Sequence, residues 1–243
     1  MENFKTIPKG FCAIIFFLVI SISCYSQDSI ANINPPGVYG VLKAQRSFIF
    51  IDVTQNTWFD LPDDVKTKFI GGGFNFSLFY EIPLVKNVLG FAPGIGFSNA
   101  TVKANVFVSY NQPPDSTLLI PYRDTIENMK TKISTSYFDI PVEFRIRIKP
   151  DQRGKNFWFA PGFRAGFLLS DFWKFKGDDL LGNPLKLKEY EIANLQKFRY
   201  GVSFRAGYYK FGVYAFYSLS TLFEKDKGPG ITPFSGGITF TPF

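Results

Sequence analysis

From Thr135 to Ile148 polar and apolar side chains change places at every residue. One face carries Thr135, Tyr137, Asp139, Pro141, Glu143, Arg145 and Arg147, and the other Ser136, Phe138, Ile140, Val142, Phe144, Ile146 and Ile148. A period of two is the signature of a β-strand, whose successive side chains point to opposite faces. The pattern returns from Lys197 to Tyr208, where Lys197, Arg199, Gly201, Ser203, Arg205 and Gly207 oppose Phe198, Tyr200, Val202, Phe204, Ala206 and Tyr208. From Gly73 to Ile82, Asn75, Ser77 and Glu81 oppose Phe74, Phe76, Leu78, Tyr80 and Ile82, with Phe79 interrupting the polar side.

A face this rich in large apolar side chains must be covered, by protein or by lipid. A soluble sheet would bury its aromatics and wet the charged face. In a closed membrane barrel the faces are reversed. A cation on the lipid face at the bilayer midplane costs roughly 2 to 4 kcal/mol, against a domain's total stability of ~5 to 15 kcal/mol, so Glu143, Arg145 and Arg147 must then point into the lumen. There Glu81, Asp139 and Glu143 can pair with Arg145, Arg147, Arg164, Arg199 and Arg205 as a structural charge network, and the lumen-side glycines leave room for the long arginine side chains.

Connection lengths favour the membrane alternative. The expected strands are Phe48 to Thr54, Phe69 to Ile82, Val88 to Val102, Ile133 to Ile148, Phe157 to Phe175, Lys197 to Tyr208, Phe211 to Ser220 and Thr232 to Phe243. The segments between them alternate long and short, as the outer loops and periplasmic turns of outer-membrane barrels do. The expected fold is all-β: a transmembrane antiparallel up-and-down β-barrel of about eight strands, with long outer loops and short periplasmic turns. Its N-terminus is periplasmic.

The N-terminal region agrees. Lys5 and Lys9 precede the apolar stretch Phe11 to Ile20, which is too short for a spanning helix and reads as a secretory leader ending at Ser26. A lipoprotein leader acylated at Cys24 is the rival reading, but Ser21-Ile22-Ser23 lacks the leucine and small residues of such a site. The expected organisation is a signal peptide over 1–26, a periplasmic segment over 27–46 and a barrel over 47–243, located in the outer membrane. Both cysteines, Cys12 and Cys24, leave with the leader, so no disulfide or thiolate site is expected.

The sequence contains no histidine. This removes the usual general base, the usual triad member and the commonest zinc ligand together, so no enzyme, catalytic residue, metal or cofactor is expected. Lys plus Arg exceed Asp plus Glu by seven, but the cations are dispersed and no nucleic-acid motif accompanies them. Gly71-Gly72-Gly73 and Gly94-Ile95-Gly96 lack the remainder of a phosphate loop. Asp63-Asp64 and Asp178-Asp179 read as solvated loop acids, since calcium needs six or more oxygens.

Some positions strain the pattern. Pro93, Pro141 and Pro161 fall inside three consecutive strands, where proline predicts bulges that bend the wall and shift its phase. Trp58, Trp158, Trp173, Tyr80 and Tyr208 fall near strand ends and predict an interfacial girdle. In the last strand Phe243 is out of phase with Phe234, Ile238 and Phe240.

Several stretches resemble a known group. They are Phe50 to Lys68 with Asp52, Trp58 and Pro62; Tyr80-Glu81-Ile82-Pro83-Leu84; Phe91 to Ser98; Asp139-Ile140-Pro141-Val142-Glu143; and Lys176-Gly177-Asp178-Asp179. Together they resemble the PorT-like outer-membrane β-barrel family across most of the mature chain. The resemblance implies an outer-membrane barrel associated with protein secretion, and it brings no catalytic set.

Two functions remain. One is a non-enzymatic scaffold or binding protein working through its outer loops beside a secretion or envelope-assembly machine. The other is a narrow porin-like channel, disfavoured because side chains fill an eight-stranded barrel. Expected partners are outer-membrane lipid and lipopolysaccharide, the barrel-assembly machinery acting on the C-terminal strand, and a secretion or envelope protein; nucleic acid is not among them.

Overall fold

The computed structural model describes residues 46–68, 71–86, 88–111, 115–122, 129–148, 155–178 and 184–242. The expected leader, nearly all of the N-terminal segment, and Phe243 lie outside them. Twelve strands are present: β1 (Arg46–Phe59), β2 (Thr67–Lys68), β3 (Gly72–Val85), β4 (Leu89–Ala104), β5 (Val106–Asn111), β6 (Ser116–Pro121), β7 (Lys130–Arg147), β8 (Phe157–Asp178), β9 (Pro184–Tyr190), β10 (Phe198–Tyr208), β11 (Phe211–Ser218) and β12 (Thr232–Phe240).

Eight of them close a ring. β1, β3, β4, β7, β8, β10, β11 and β12 pair antiparallel in that order, and β12 returns to β1. β2 and β9 extend the sheet beyond the ring, while β5 and β6 form a separate hairpin. Closure leaves no open edge inside the membrane, where an unpaired backbone group would cost several kcal/mol. The fold is an antiparallel β-barrel.

The period-two faces fall as the charges require. Asp139, Glu143 and Arg145 on β7 are buried while Phe138, Ile140, Phe144 and Ile146 are exposed; Arg199 and Arg205 on β10 are buried while Phe198, Val202 and Phe204 are exposed. Phe79, the apparent exception on β3, is 2% exposed and packs inward with Phe50, Ala92, Trp158 and Ala160.

Pro93, Pro141 and Pro161 do not make bulges, although the register does shift beside a fourth proline, between Pro83 and Val85. Pairing lapses beside each of the three: between Phe79–Gly94 and Ile82–Phe91 at Pro93, between Pro93–Val142 and Gly96–Asp139 at Pro141, and between Glu143–Gly162 and Ile146–Phe159 at Pro161. The register on either side of each lapse is unchanged. Loss of one N–H therefore opens the ladder locally without adding a residue. The phase shift comes instead at Leu169, the extra residue between the pairs Ser136–Ser170 and Tyr137–Leu168. Below it Arg164 and Gly166 face inward; above it Asp171, Trp173 and Phe175 do.

The tryptophans also depart from expectation. Trp58, Trp158 and Trp173 are 5%, 8% and 6% exposed and belong to interior clusters. Aromatic packing on the outside near the periplasmic end comes instead from Phe157 against Tyr208 and Phe211 against Phe240, with Tyr80 also exposed.

Strands expected to stop at the membrane continue beyond it, and segments expected as loops carry β5, β6 and β9. These extensions build a second apolar core at the outer end of the barrel. Trp58, Val65, Val102, Val106, Leu119, Ile133, Phe175, Ile192, Leu195, Phe223 and Ile231 are buried in it. Hydrogen bonds join its segments: the Thr117 N–H donates to Lys227 O and the Thr117 hydroxyl to Ala193 O, each at 2.8 Å.

Candidate functional site: the filled lumen

Five arginines meet four carboxylates inside the ring. Near the periplasmic end Arg145 and Arg147 of β7 both reach Glu81 of β3, Arg145 at 3.3 Å, and Arg145 also reaches Glu143 at 3.4 Å. At mid-height Arg205 of β10 pairs with Asp52 of β1 at 2.7 Å and with Glu143. Toward the outside Arg199 lies 2.9 Å and Arg164 3.4 Å from Asp139, whose carboxylate also accepts from the Ser98 hydroxyl. All eight residues singled out in the sequence for charge pairing therefore lie in two adjoining clusters.

Asp52 is the residue that reasoning from sequence missed. Its place was readable, because Phe50, Asp52 and Thr54 alternate with the outward Ile51 and Val53. What could not be read was its partner, which lies 153 residues away on β10. The aromatic share of the lumen was hidden in the same way. Arg145 stacks over Phe50 and Phe79 at 4.8 and 4.6 Å, Arg199 over Tyr137 at 3.7 Å, and Tyr214 receives both Arg164 and Arg205, at 5.2 and 4.6 Å. Tyr214 thus joins the outer cluster to the middle one. Cation–π contacts of this kind contribute about 0.5 to 2 kcal/mol each, more where water is excluded.

Small residues make the space. A Cβ on Gly166 would stand 2.3 Å from the Asp139 carboxylate, on Gly162 2.9 Å from Glu143, and on Gly90 2.6 Å from Glu81. Near the outer end of the lumen, a cavity of about 30 Å³ touches Tyr137, Arg199, Phe216 and Leu222, a volume that holds roughly one water. An eight-stranded ring is just wide enough for side chains to fill, and here ion pairs and stacked rings fill it. Among the described residues no group of three or more His, Cys, Asp or Glu converges as a metal site.

A closed antiparallel ring with a lipid-facing apolar wall and a charged interior is the architecture of outer-membrane barrels, and residues 48–224 match the family described as outer membrane protein beta-barrel domain. The chain belongs to this family. Its location is accordingly the outer membrane. Among solved structures it is similar to Ail, the attachment invasion locus protein of Yersinia pestis, in complex with the heparin analogue sucrose octasulfate. The two share 15% identity over 80% of this chain and 97% of that one, with a TM-score of 0.32. No curated protein sequence matches the chain.

In the outer-membrane frame the long connections β1–β3, β4–β7, β8–β10 and β11–β12 face the cell exterior, and the short ones around Lys86 and Tyr209-Lys210 face the periplasm. The second apolar core is then an extracellular cap.

Proposed function

We propose that the protein is a non-conducting, non-enzymatic anchor that presents an ordered extracellular platform for binding, within the PorT-like branch of its family and beside a secretion or envelope-assembly machine. The observation that carries this reading is Arg205. It has no exposed surface, sits between Asp52 and Glu143 and stacks on Tyr214, so the middle of the lumen is spanned by bonded side chains. The hydrophobic cap supports the binding half, since ordered strands hold a contact surface at a lower entropic cost than mobile loops. Outer-membrane lipid and lipopolysaccharide surround the wall, the assembly machinery acts on the C-terminal strand, and residues 1–26 are a removable leader preceding a periplasmic segment over 27–46.

Single-channel recording in planar bilayers tests the closed lumen. The refolded protein should insert without a stable open current, and steady ohmic steps would overturn the reading in favour of the narrow channel. Crosslinking in intact cells with mass spectrometry would identify the protein held by the cap.

A further inference from the structure

Lysines stand side by side across five neighbouring strands of the extracellular wall. Lys68 of β2 pairs in register with Lys103 of β4, Lys103 with Lys132 of β7, Lys132 with Lys174 of β8, and Lys174 with Lys188 of β9. A second row follows one step farther out, Lys130 with Lys176 and Lys176 with Lys186. Directly opposed residues share a face. At strand spacings of ~4.8 Å the first row runs for roughly 20 Å around the wall.

Such a row opposes folding by itself, because like charges placed directly across a ladder repel. Edge protection accounts for lysines on β9, an outermost strand, but not for Lys103, Lys132 and Lys174 on interior strands. No carboxylate among the described residues forms a salt bridge with Lys103, Lys130, Lys132, Lys174 or Lys176. Partial burial, and after it the neighbouring ammonium groups, hold the Lys132 pKa below its ordinary value. Five of these lysines line a cleft of about 260 Å³ with Thr131. These five lysines form a built cation surface without a carboxylate partner among the described residues.

Its height and direction identify the occupant. The lysines point away from the lumen, on the same outer face as the lipid-contacting side chains. That apolar band is topped by Phe97, Phe138, Phe167 and Phe198, which are mutually in register, with the bulged Leu169 just above them. On β7 it runs down to Ile148, about 34 Å of strand and roughly 25 Å of height at a usual tilt. Above it come Asn99 with Ser136, then one row of Thr101, Ser134, Phe172 and Tyr190, and then the lysines. Lys132 lies six residues beyond Phe138, roughly 15 Å above the acyl layer on the same geometry. Phe172 lies beneath the row, its ring centroid 5.2 Å from the Lys132 ammonium and 4.5 Å from that of Lys188. A soluble anion would be met equally well by a surface facing upward, whereas this one faces sideways into the headgroup layer.

We propose that the lysine ladder is a binding site for the phosphate and acidic-sugar headgroup of outer-leaflet lipopolysaccharide, clamping one sector of the wall to the membrane surface. The site deepens the lipid contact of the function proposed above and rests on it. Its failure would leave the closed lumen untouched, because conductance reads a different part of the molecule.

The test measures binding of deep-rough lipopolysaccharide to the full refolded chain in neutral detergent. Substituting Lys103→Gln, Lys132→Gln and Lys174→Gln together should weaken binding about a hundredfold, roughly fivefold per lysine, and the three-arginine counterpart should keep it. Dephosphorylated lipopolysaccharide should bind the wild type comparably weakly, and inositol hexakisphosphate should bind far less than the intact glycolipid. The glutamine variant should melt no lower than wild type without glycolipid, since repulsion is relieved, which separates lost binding from misfolding. If the triple variant fails to fold, Lys132→Gln alone should show the fivefold loss. Equal affinity of the glutamine variants and the wild type would overturn the site, and equal affinity for inositol hexakisphosphate would assign it to a soluble anion instead.

Discussion

Replacing Arg205 by methionine removes the central tie of the lumen while keeping most of its length. Asp52 and Glu143 have no exposed side-chain surface. Without Arg205, Glu143 keeps Arg145 at 3.4 Å, but Asp52 loses its salt bridge and keeps the Asn75 amide at 3.2 Å. Removing one partner of a buried ion pair costs about 3 to 5 kcal/mol, mostly from the orphaned charge. Loss of the Tyr214 stack adds about 0.5 to 2 kcal/mol, partly offset by methionine packing against the same rings. Arg205→Met should therefore destabilise the barrel by about 4 kcal/mol. Adding Asp52→Asn makes the orphan neutral, so the double variant should lie only about 1 to 2 kcal/mol below wild type, about 2 to 3 kcal/mol above the Arg205→Met single variant. Urea unfolding in lipid vesicles, followed by the fluorescence of Trp158, measures the cycle within the barrel. A cost below about 1 kcal/mol for the single variant, or strict additivity in the double, would refute the view that Arg205 is held by charge.

Gly166→Ala puts a methyl group 2.3 Å from the Asp139 carboxylate and must displace it from Arg199, so a loss of about 1 to 3 kcal/mol is expected in the same unfolding assay; an unchanged midpoint would show that the outer cluster is slack. Phe175→Ala removes a ring packed 4.7 Å from Phe107 in the cap core. The local cost of about 3 to 5 kcal/mol should expose the cap to protease on intact cells while the barrel keeps its heat-dependent gel mobility. Loss of both together would mean that cap and barrel unfold as one unit.

Much of the fold was legible because a transmembrane barrel repeats one simple constraint on every strand. Residues 135–148 and 197–208 disclose their inner and outer faces through charge alone, since arginine on the lipid face is prohibitively costly. Apolar residues beyond the membrane carry no such label. Trp58 and Trp173 looked like interfacial anchors because they sit near strand ends, but β1 and β8 continue outward and turn both into a cap core whose members come from distant segments. Pro93, Pro141 and Pro161 misled for a related reason. A missing N–H can be accommodated by opening a ladder for two residues, whereas the bulge at Leu169 that resets the faces of β8 carries no proline or glycine to mark it.

The lysines were the least legible feature, although every one is plain in the sequence. Lys68, Lys103, Lys132, Lys174 and Lys188 are separated by dozens of residues or by masking acids and aromatics, and along any one strand they look like ordinary solvated positions. Only register brings them together, and register beyond the membrane depends on the Leu169 bulge. Were Leu169 paired as an ordinary ladder residue instead of bulged out, Lys132 would oppose Trp173 in place of Lys174, and β8 would turn Lys174 and Lys176 toward the cap core. The bulge thus serves two ends at once: it turns Trp173 and Phe175 inward to seal the cap and places their lysine neighbours on the membrane-facing side. Deleting Leu169 removes only the unpaired residue and leaves Tyr137–Leu168 and Ser136–Ser170 as consecutive pairs, so Lys132 should stay opposite Lys174, Trp173 should stay inward and the cap should remain resistant to protease. Loss of the folded cap in that variant would show that the bulged backbone itself, and not the register on either side of it, holds the cap together.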